Sequence, residues 1–194
     1  TFVRSSFEDP DAPGMGDLLN PPGTLICDEE EVVEQEVVTG IAFAKDEAQI
    51  SLRRVADRPG VSAGIFGPLA EAHINVDMIV QNVAADSTTD FTFTVHRSEV
   101  ERATEISKKV ADELKAKGVR TALDIVKVSL VGVGMRSHAG IAARMFRVLA
   151  AEGINIRMIS TSEIKISVVI EDKYLELAVR ALHQAFNLAE APAH

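Results

Sequence analysis

Apolar and polar positions along this chain alternate first at the period of a strand, then at that of a helix. Val37-Val-Thr-Gly-Ile-Ala-Phe-Ala and Ala48-Gln-Ile-Ser-Leu-Arg-Arg-Val read as strands, the second with Ile50 and Leu52 on one face. Pro59 stands where it would open a helix, because its fixed φ suits the first turn and its missing N–H is not needed there. Val61, Ile65, Phe66, Leu69 and Ala72 then recur at helical spacing and predict one buried face. Asn75 to Asn82 predicts a strand, Ser87-Thr-Thr-Asp a turn, and Phe91-Thr-Phe-Thr-Val a strand of strict period two. Ser98 is placed to cap a long helix whose apolar stripe is Val100, Ala103, Ile106, Val110 and Leu114. Lys117-Gly118 would end that helix, and Val119 to Asp124 supplies a last strand.

The same text then repeats. Val55-Ala-Asp-Arg-Pro-Gly-Val-Ser-Ala-Gly-Ile-Phe matches a later stretch beginning Val133-Gly-Met-Arg-Ser-His-Ala-Gly-Ile-Ala-Ala-Arg-Met-Phe. Gly60 falls on Gly140, Phe66 on Phe146, Leu69 on Leu149, Asn75 on Asn155 and Met78 on Met158, without a gap. Two copies are too few for a solenoid, so the chain reads as tandem modules of one small fold. The second copy predicts a strand from Ile125 to Val133 and a helix with Ile141, Met145, Phe146 and Leu149. Strands at Asn155 to Ser162 and Ile164 to Ile170 follow, then a helix with Leu175, Ala178, Leu182 and Phe186. The fold class is therefore α+β: two ferredoxin-like β-α-β-β-α-β modules, each an antiparallel sheet with helices on one face.

The strand count does not balance. After the last helix only Asn187-Leu-Ala-Glu-Ala-Pro-Ala-His remains, so the second module lacks a strand, while Val37 to Ala44 is spare at the front. The economical solution makes residues 45–124 the first module and 125–188 plus strand 37–44 the second, with the first inserted into it. Residues 1–36 read as loop or linker, from the breaker clusters Glu8-Asp-Pro-Asp-Ala-Pro-Gly and Asn20-Pro-Pro-Gly and the acidic run Asp28 to Glu36.

Composition narrows the function. A length of 194 residues with 46% hydrophobic content suits two modules of roughly 70–80 residues. No apolar run approaches the ~20 residues of a membrane span, and the N-terminus does not read as a signal peptide. The absence of an initiator Met suggests an interior part of a longer product. The single cysteine, Cys27, gives no internal disulfide framework and fits a reducing, cytoplasmic setting. A net charge of −9 argues against nucleic acid or anionic membrane as a partner.

In both copies a strand runs through a short loop into a helix, at Asp57-Arg-Pro-Gly and at Met135-Arg-Ser-His-Ala-Gly. Unpaired N–H groups at a helix start favour an anion by roughly 0.3–2 kcal/mol. A free amino acid has a carboxylate to place there and an ammonium for an acid such as Asp57 or Asp77. Gln81 and Asn82, or Thr161 and Ser162, could take further hydrogen bonds. The alternative, that these residues only start and cap a helix, stays open. Other chemistries fit less well. Gly132-Val-Gly134 is followed by Ser137 where a dinucleotide fingerprint needs Gly, and no phosphate-loop lysine follows. His73, His96, His138, His183 and His194 have no metal-ligand spacing. Phe91 and Phe93 invite a base-stacking RNA module, but they share the face assigned to the helix-packed core, and the chain is acidic.

These residues resemble a known family. Asp57-Arg-Pro-Gly with Asn75-Val-Asp-Met-Ile-Val-Gln-Asn, and Val128-Ser-Leu-Val-Gly-Val-Gly-Met-Arg-Ser-His-Ala-Gly with Asn155-Ile-Arg-Met-Ile-Ser-Thr-Ser-Glu-Ile-Lys-Ile-Ser, resemble the tandem ACT-domain regulatory region of aspartate kinase. Thr88-Thr-Asp-Phe-Thr-Phe-Thr-Val and Ala181-Leu-His-Gln-Ala-Phe add to the likeness, which covers about residues 37–188. Val3-Arg-Ser-Ser-Phe and Pro22-Gly-Thr-Leu-Ile resemble the end of that family's kinase domain.

The resemblance implies a sensor of end-product threonine or lysine, acting by feedback on ATP-dependent phosphorylation of the aspartate side chain. It implies no cofactor in this segment, since ATP and Mg would belong to a kinase domain or subunit. The family's effector contacts carry over to Asp57, Pro59, Gly60, Val61 and Gln81 in the first module, with Asn75 and Asp77 beside them. In the second they fall on Met135, Ser137, His138, Gly140, Ile141, Asn155, Ile156, Thr161, Ser162 and Glu163. ACT modules associate sheet beside sheet, which implies a homodimer whose shared sites join first and second modules of different chains. Arg157 departs from the pattern, standing where some members carry an acid and where it would disfavour an ammonium. Either a separate regulatory subunit or a fragment of the whole enzyme fits, and the long stretch before Val37 favours the fragment. The rival reading is a free-standing ACT sensor of a different enzyme, which would not need the Val3-Arg-Ser-Ser-Phe and Gly23-Thr-Leu-Ile segments. A catalytic role for the segment itself lacks any constellation to carry it.

Overall fold

The computed structural model describes residues 38–132 and 140–188, together with two short strands, β1 (Phe2–Val3) and β2 (Thr24–Leu25). β1 and β2 pair antiparallel within the unit Thr1–Val37, and the remaining elements belong to the unit Val38–His194. Along that unit run β3 (Gly40–Ala44), β4 (Glu47–Ala56), α1 (Val61–Glu71), β5 (Val76–Val83), β6 (Thr88–His96), α2 (Val100–Glu113) and β7 (Gly118–Ala122). β8 (Ile125–Val131), α3 (Ile141–Ala151), β9 (Met158–Thr161), β10 (Lys165–Glu171) and α4 (Leu175–Ala185) follow.

Two antiparallel four-stranded sheets result, in the orders β5-β6-β4-β7 and β3-β8-β10-β9. The first is the ferredoxin-like order of a β-α-β-β-α-β unit. The second repeats it with β3, from ahead of the first module, in the place of the fourth strand; Gly40 pairs with Val131 and Ala44 with Lys127.

Each core lies between a sheet and its two helices. In the first module the strict alternation of β6 buries Phe91, Phe93 and Val95 against Val61, Ile65 and Leu69 of α1. Phe66 meets Phe91 and Phe93 edge-on, with ring centroids 6.0 and 5.3 Å apart. Those two rings are therefore core and present no face for a base. In the second module Val126, Val128 and Leu130 of β8 and Ile166, Val168 and Ile170 of β10 pack on Met145, Leu149, Ala178 and Leu182. A third apolar cluster, Met78, Ile125, Met158 and Val169, joins the two modules.

Several local expectations need correction. Pro59 does not open α1; the helix begins at Val61 after Gly60, which takes φ 90° as its N-cap. The β5–β6 turn lies ahead of Thr88, since Thr88, Thr89 and Asp90 already belong to β6. Ser98 does not cap α2: it sits in a 3-10 turn (Arg97–Glu99), and its hydroxyl lies 2.7 Å from Nδ1 of His96. Gly118 does not end α2 either. The left-handed residue there is Lys115, at φ 54°. His73, Lys115, Gly153 and Asn187 have positive φ after α1, α2, α3 and α4 respectively. In each case the next residue's N–H bonds back into the last turn: Ile74 to Leu69, Ala116 to Ala111, Ile154 to Leu149 and Leu188 to His183.

Candidate functional site

The loop from β4 to α1 holds Asp57, Arg58, Pro59 and Gly60, all exposed. It is pinned at both ends by backbone bonds, Asp57 N–H to the Ser87 carbonyl at 2.9 Å and Val61 N–H to Arg58 at 3.2 Å. No side chain caps α1, because its N-cap is a glycine, and the first turn carries no acid. Apart from the Val61 N–H, the first-turn N–H groups thus have no side-chain partner to offset their partial positive charge. Gln81 pairs with Phe91 across β5–β6, so it projects to the helix side of the sheet. Val55 and Val83 both pair with Thr89, which puts the end of β5 and the loop at the same end of the sheet. Asp57, Pro59, Gly60, Val61 and Gln81 therefore belong to one corner. Asn75 does not, since it lies at the opposite end of β5, ahead of Val76.

The second module repeats this corner as far as it is described. Gly140 takes φ 103° as the N-cap of α3, again without a side-chain cap, and Ile141 begins the helix. Thr161 pairs with Ile166, a core residue, and so projects to the helix side as Gln81 does. Ser162 turns back on its own hairpin, donating from its N–H to the Lys165 carbonyl at 2.7 Å. Thr161, Ser162 and Glu163 are exposed beside it, whereas Asn155 and half-buried Ile156 precede β9 at its other end. Met135, Ser137 and His138 lie outside the described residues.

The charged candidates divide differently from expectation. Asp77 does not face the α1 corner. Its carboxylate accepts from Lys127 Nζ on β8, and the same ammonium also serves Glu47 on β4. Burial pushes the Asp77 carboxyl up, but the hydrogen bond and charge of Lys127 outweigh it and hold the group below its ordinary value. Burial pushes Lys127 down, and its bonds to Asp77 and Glu47 reverse that, leaving it raised. Arg157, at the position matching Asp77, is also committed: its guanidinium makes two bonds to Asp124, at 3.2 and 2.8 Å, and reaches Glu171 at 3.6 Å. The bond to Arg157 holds the Asp124 carboxyl below its ordinary value. Of the two acids weighed for an effector ammonium, the geometry leaves Asp57 at the corner and removes Asp77. Among the described residues no group of three or more His, Cys, Asp or Glu is placed to hold a metal ion. No described helix is long and apolar enough to cross a membrane.

This architecture has close relatives. The ACT-domain profile matches residues 49–113, and a second ACT-domain profile matches residues 128–186. A chain in a crystal structure of aspartokinase alpha and beta subunits is 55% identical and superposes with a TM-score of 0.74, over 78% of this chain and 99% of that one. The ligand-free regulatory subunit of aspartate kinase from Thermus thermophilus is 44% identical, with the same coverage and a TM-score of 0.74. The chain belongs to the aspartate kinase family. It corresponds to the regulatory ACT region of that family. Against the aspartate kinase of Pseudomonas fluorescens it is 63% identical over 173 residues, 89% of this chain but 42% of that protein's length.

Within this regulatory region, sequence reasoning found both helix starts but missed the pair that ties the modules, Glu47 and Lys127. No sequence signal marked the pair: by strand register Glu47 is level with Ile125 and Lys127 with Gln49, so the repeat does not set one on the other.

Proposed function

We propose that this chain is the amino-acid-sensing part of an aspartate kinase. It binds end-product threonine or lysine, or both, and so imposes feedback inhibition on ATP-dependent phosphorylation of aspartate by a kinase domain or subunit. The observation that carries this reading is the pair of uncapped, glycine-led helix starts at Gly60 and Gly140, each beside a strand-end polar residue, Gln81 or Thr161. An effector carboxylate would take the helix N–H groups, and Gln81 or Thr161 would bond the rest of the ligand. In the first module Asp57 would take the ammonium. The segment itself is non-catalytic on this account.

Residues 45–124 form the first ACT domain, 125–188 with strand 37–44 the second, and residues 1–36 link to the end of a kinase domain. Two such chains would associate through the outer edges of β5 and β9, pairing a first module with the partner's second. Support for that edge comes from Ile79 and Ile159, matching positions on the two edge strands that are 52% and 44% exposed. Each shared site would then receive a loop from one chain and a strand from the other, in a cytoplasmic homodimer. Ligand binding would favour one dimer arrangement, and a coupling of roughly 1–3 kcal/mol would alter affinity about 5- to 150-fold. The test is Gln81→Ala in the full enzyme, which should relieve inhibition while leaving uninhibited activity unchanged. Inhibition as strong as before would count against the site.

A further inference from the structure

The first sheet has a face turned away from its helices, and strand alternation sets Ser51 and Arg53 of β4, Thr92 of β6 and Arg120 of β7 on it. Their neighbours along the strands, Ile50, Leu52, Phe91, Phe93 and Val119, fill the core on the other side. The second module meets one end of this open face, where Ala122 packs on the cluster of Met78 and Ile125. Beside that end lies a cavity of about 450 Å³, whose lining includes Ser51, Arg53, Asp90, Thr92 and Arg120. Arg120 pairs with Ser51 and Arg53 with Gly118, so the two arginines are diagonal neighbours across β4 and β7. Neither guanidinium has a hydrogen bond or ion pair among the described residues. Asp90 does not neutralise them fully, since one of its oxygens is committed to the Arg54 N–H at 2.6 Å. The Ser51 and Thr92 hydroxyls lie 3.0 Å apart; their mutual bond uses one proton and leaves the other free to donate.

The second sheet shows what the fold needs at these places. Strand register sets Ser51 level with Ser129, Thr92 with Ser167, Arg53 with Val131 and Arg120 with Ala42. The hydroxyl pair is common to both sheets, but the arginines belong to the first alone. The same sheet forms with valine and alanine in their positions, so packing and strand pairing do not call for two guanidinium groups there. We propose that the cavity is a further ligand site, for a small oxyanion, either a phosphate or a carboxylate, lying between Arg53 and Arg120. A guanidinium presents paired N–H donors that match both kinds of group. Two cations on one face repel, and an anion between them converts that repulsion into attraction. The free proton of the Ser51–Thr92 pair supplies a donor from the floor. This site is separate from the corner at Gly60, where Gln81 projects to the helix side of the same sheet.

The experiment is isothermal titration of the full chain, at low ionic strength, with inorganic phosphate and separately with succinate. Saturable binding of at least one is expected, and which of the two binds tells a phosphoryl ligand from a carboxylate. Arg53→Ala and Arg120→Ala should each weaken that binding about tenfold or more, the scale of one lost hydrogen-bonded charge. Arg120→Lys, which keeps the charge but not the paired donors, should fall between Arg120→Ala and the parent. Both arginines are exposed, so the variants should keep the parent's thermal midpoint. Gln81→Ala should leave the oxyanion binding as it was, which separates this site from the corner whatever the fate of the effector reading. No saturable binding of either probe would overturn the proposal, as would binding that survives both alanine substitutions or is lost with Gln81→Ala.

Discussion

Gly60 and Gly64 stand four positions apart, and replacing each by alanine should have opposite consequences. A Cβ built on either one meets no atom within 4 Å, so neither replacement creates a clash. They differ in backbone. Gly60 holds φ 90° at the start of α1, whereas Gly64 lies inside the helix. For an L-residue the left-handed region costs about 1–2 kcal/mol. Alanine also removes freedom from the unfolded chain, which favours folding by about 0.4–1 kcal/mol. Gly60→Ala should therefore lose about 1 kcal/mol net. Gly64→Ala incurs no strain and gains helix propensity, so it should stabilise by about 0.5–1 kcal/mol. At about 2–4 °C per kcal/mol for a chain of this size, the two midpoints should separate by roughly 3–8 °C. Urea unfolding of both variants beside the parent gives the free energies directly. If Gly60→Ala proves as stable as Gly64→Ala, the left-handed helix start is not what the loop requires, and the account of the α1 corner fails.

Two further outcomes follow from buried polar groups. Ser129 and Ser167, 3% and 2% exposed, share a hydroxyl bond of 2.8 Å; Ser167→Ala strands one buried hydroxyl and should cost about 1–3 kcal/mol in urea unfolding, while replacing both serines should cost clearly less. The pH profile of the thermal midpoint should reflect the Lys127 junction at both extremes. Asp77 is held below its ordinary 3.8, so the stability it contributes is complete above that value and disappears as pH falls through the folded value. Lys127 is held above its ordinary 10.5, so its share is complete below 10.5 and disappears as pH rises through the folded value. Asp77→Asn should flatten the acid limb, and an unchanged limb would contradict the pairing.

What the sequence made legible was whatever burial enforces by period. Phe91, Phe93 and Val95 could be read as core because one sheet face is apolar and the other is not. Val61, Ile65 and Leu69 were legible because only one stripe of α1 is buried. Helix ends were less legible. Gly118 was a reasonable stop signal, yet α2 closes on Lys115 and α1 on His73, neither of which announces a left-handed conformation, while α3 closes on Gly153. Packing of the next residues, Ile74 and Ala116, on the core and their backbone bonds to Leu69 and Ala111 override residue preference there. Pro59 and Ser98 were misplaced for a related reason: each has the right chemistry for a helix start, but a glycine N-cap and a 3-10 turn stand between them and their helices. Asp77 was drawn into the candidate site because it lies on the same strand as Gln81. A strand does not reveal which neighbour covers its open face. That neighbour is Lys127, on a strand of the other module.

The central claim is that the corners at Gly60 and Gly140 bind an amino-acid effector, and isothermal titration of the chain with threonine and lysine, singly and together, tests it most directly. Saturable heat with at least one of them, weakened by Gln81→Ala, is the result predicted. No heat with either or both, from a chain that unfolds cooperatively, would contradict it.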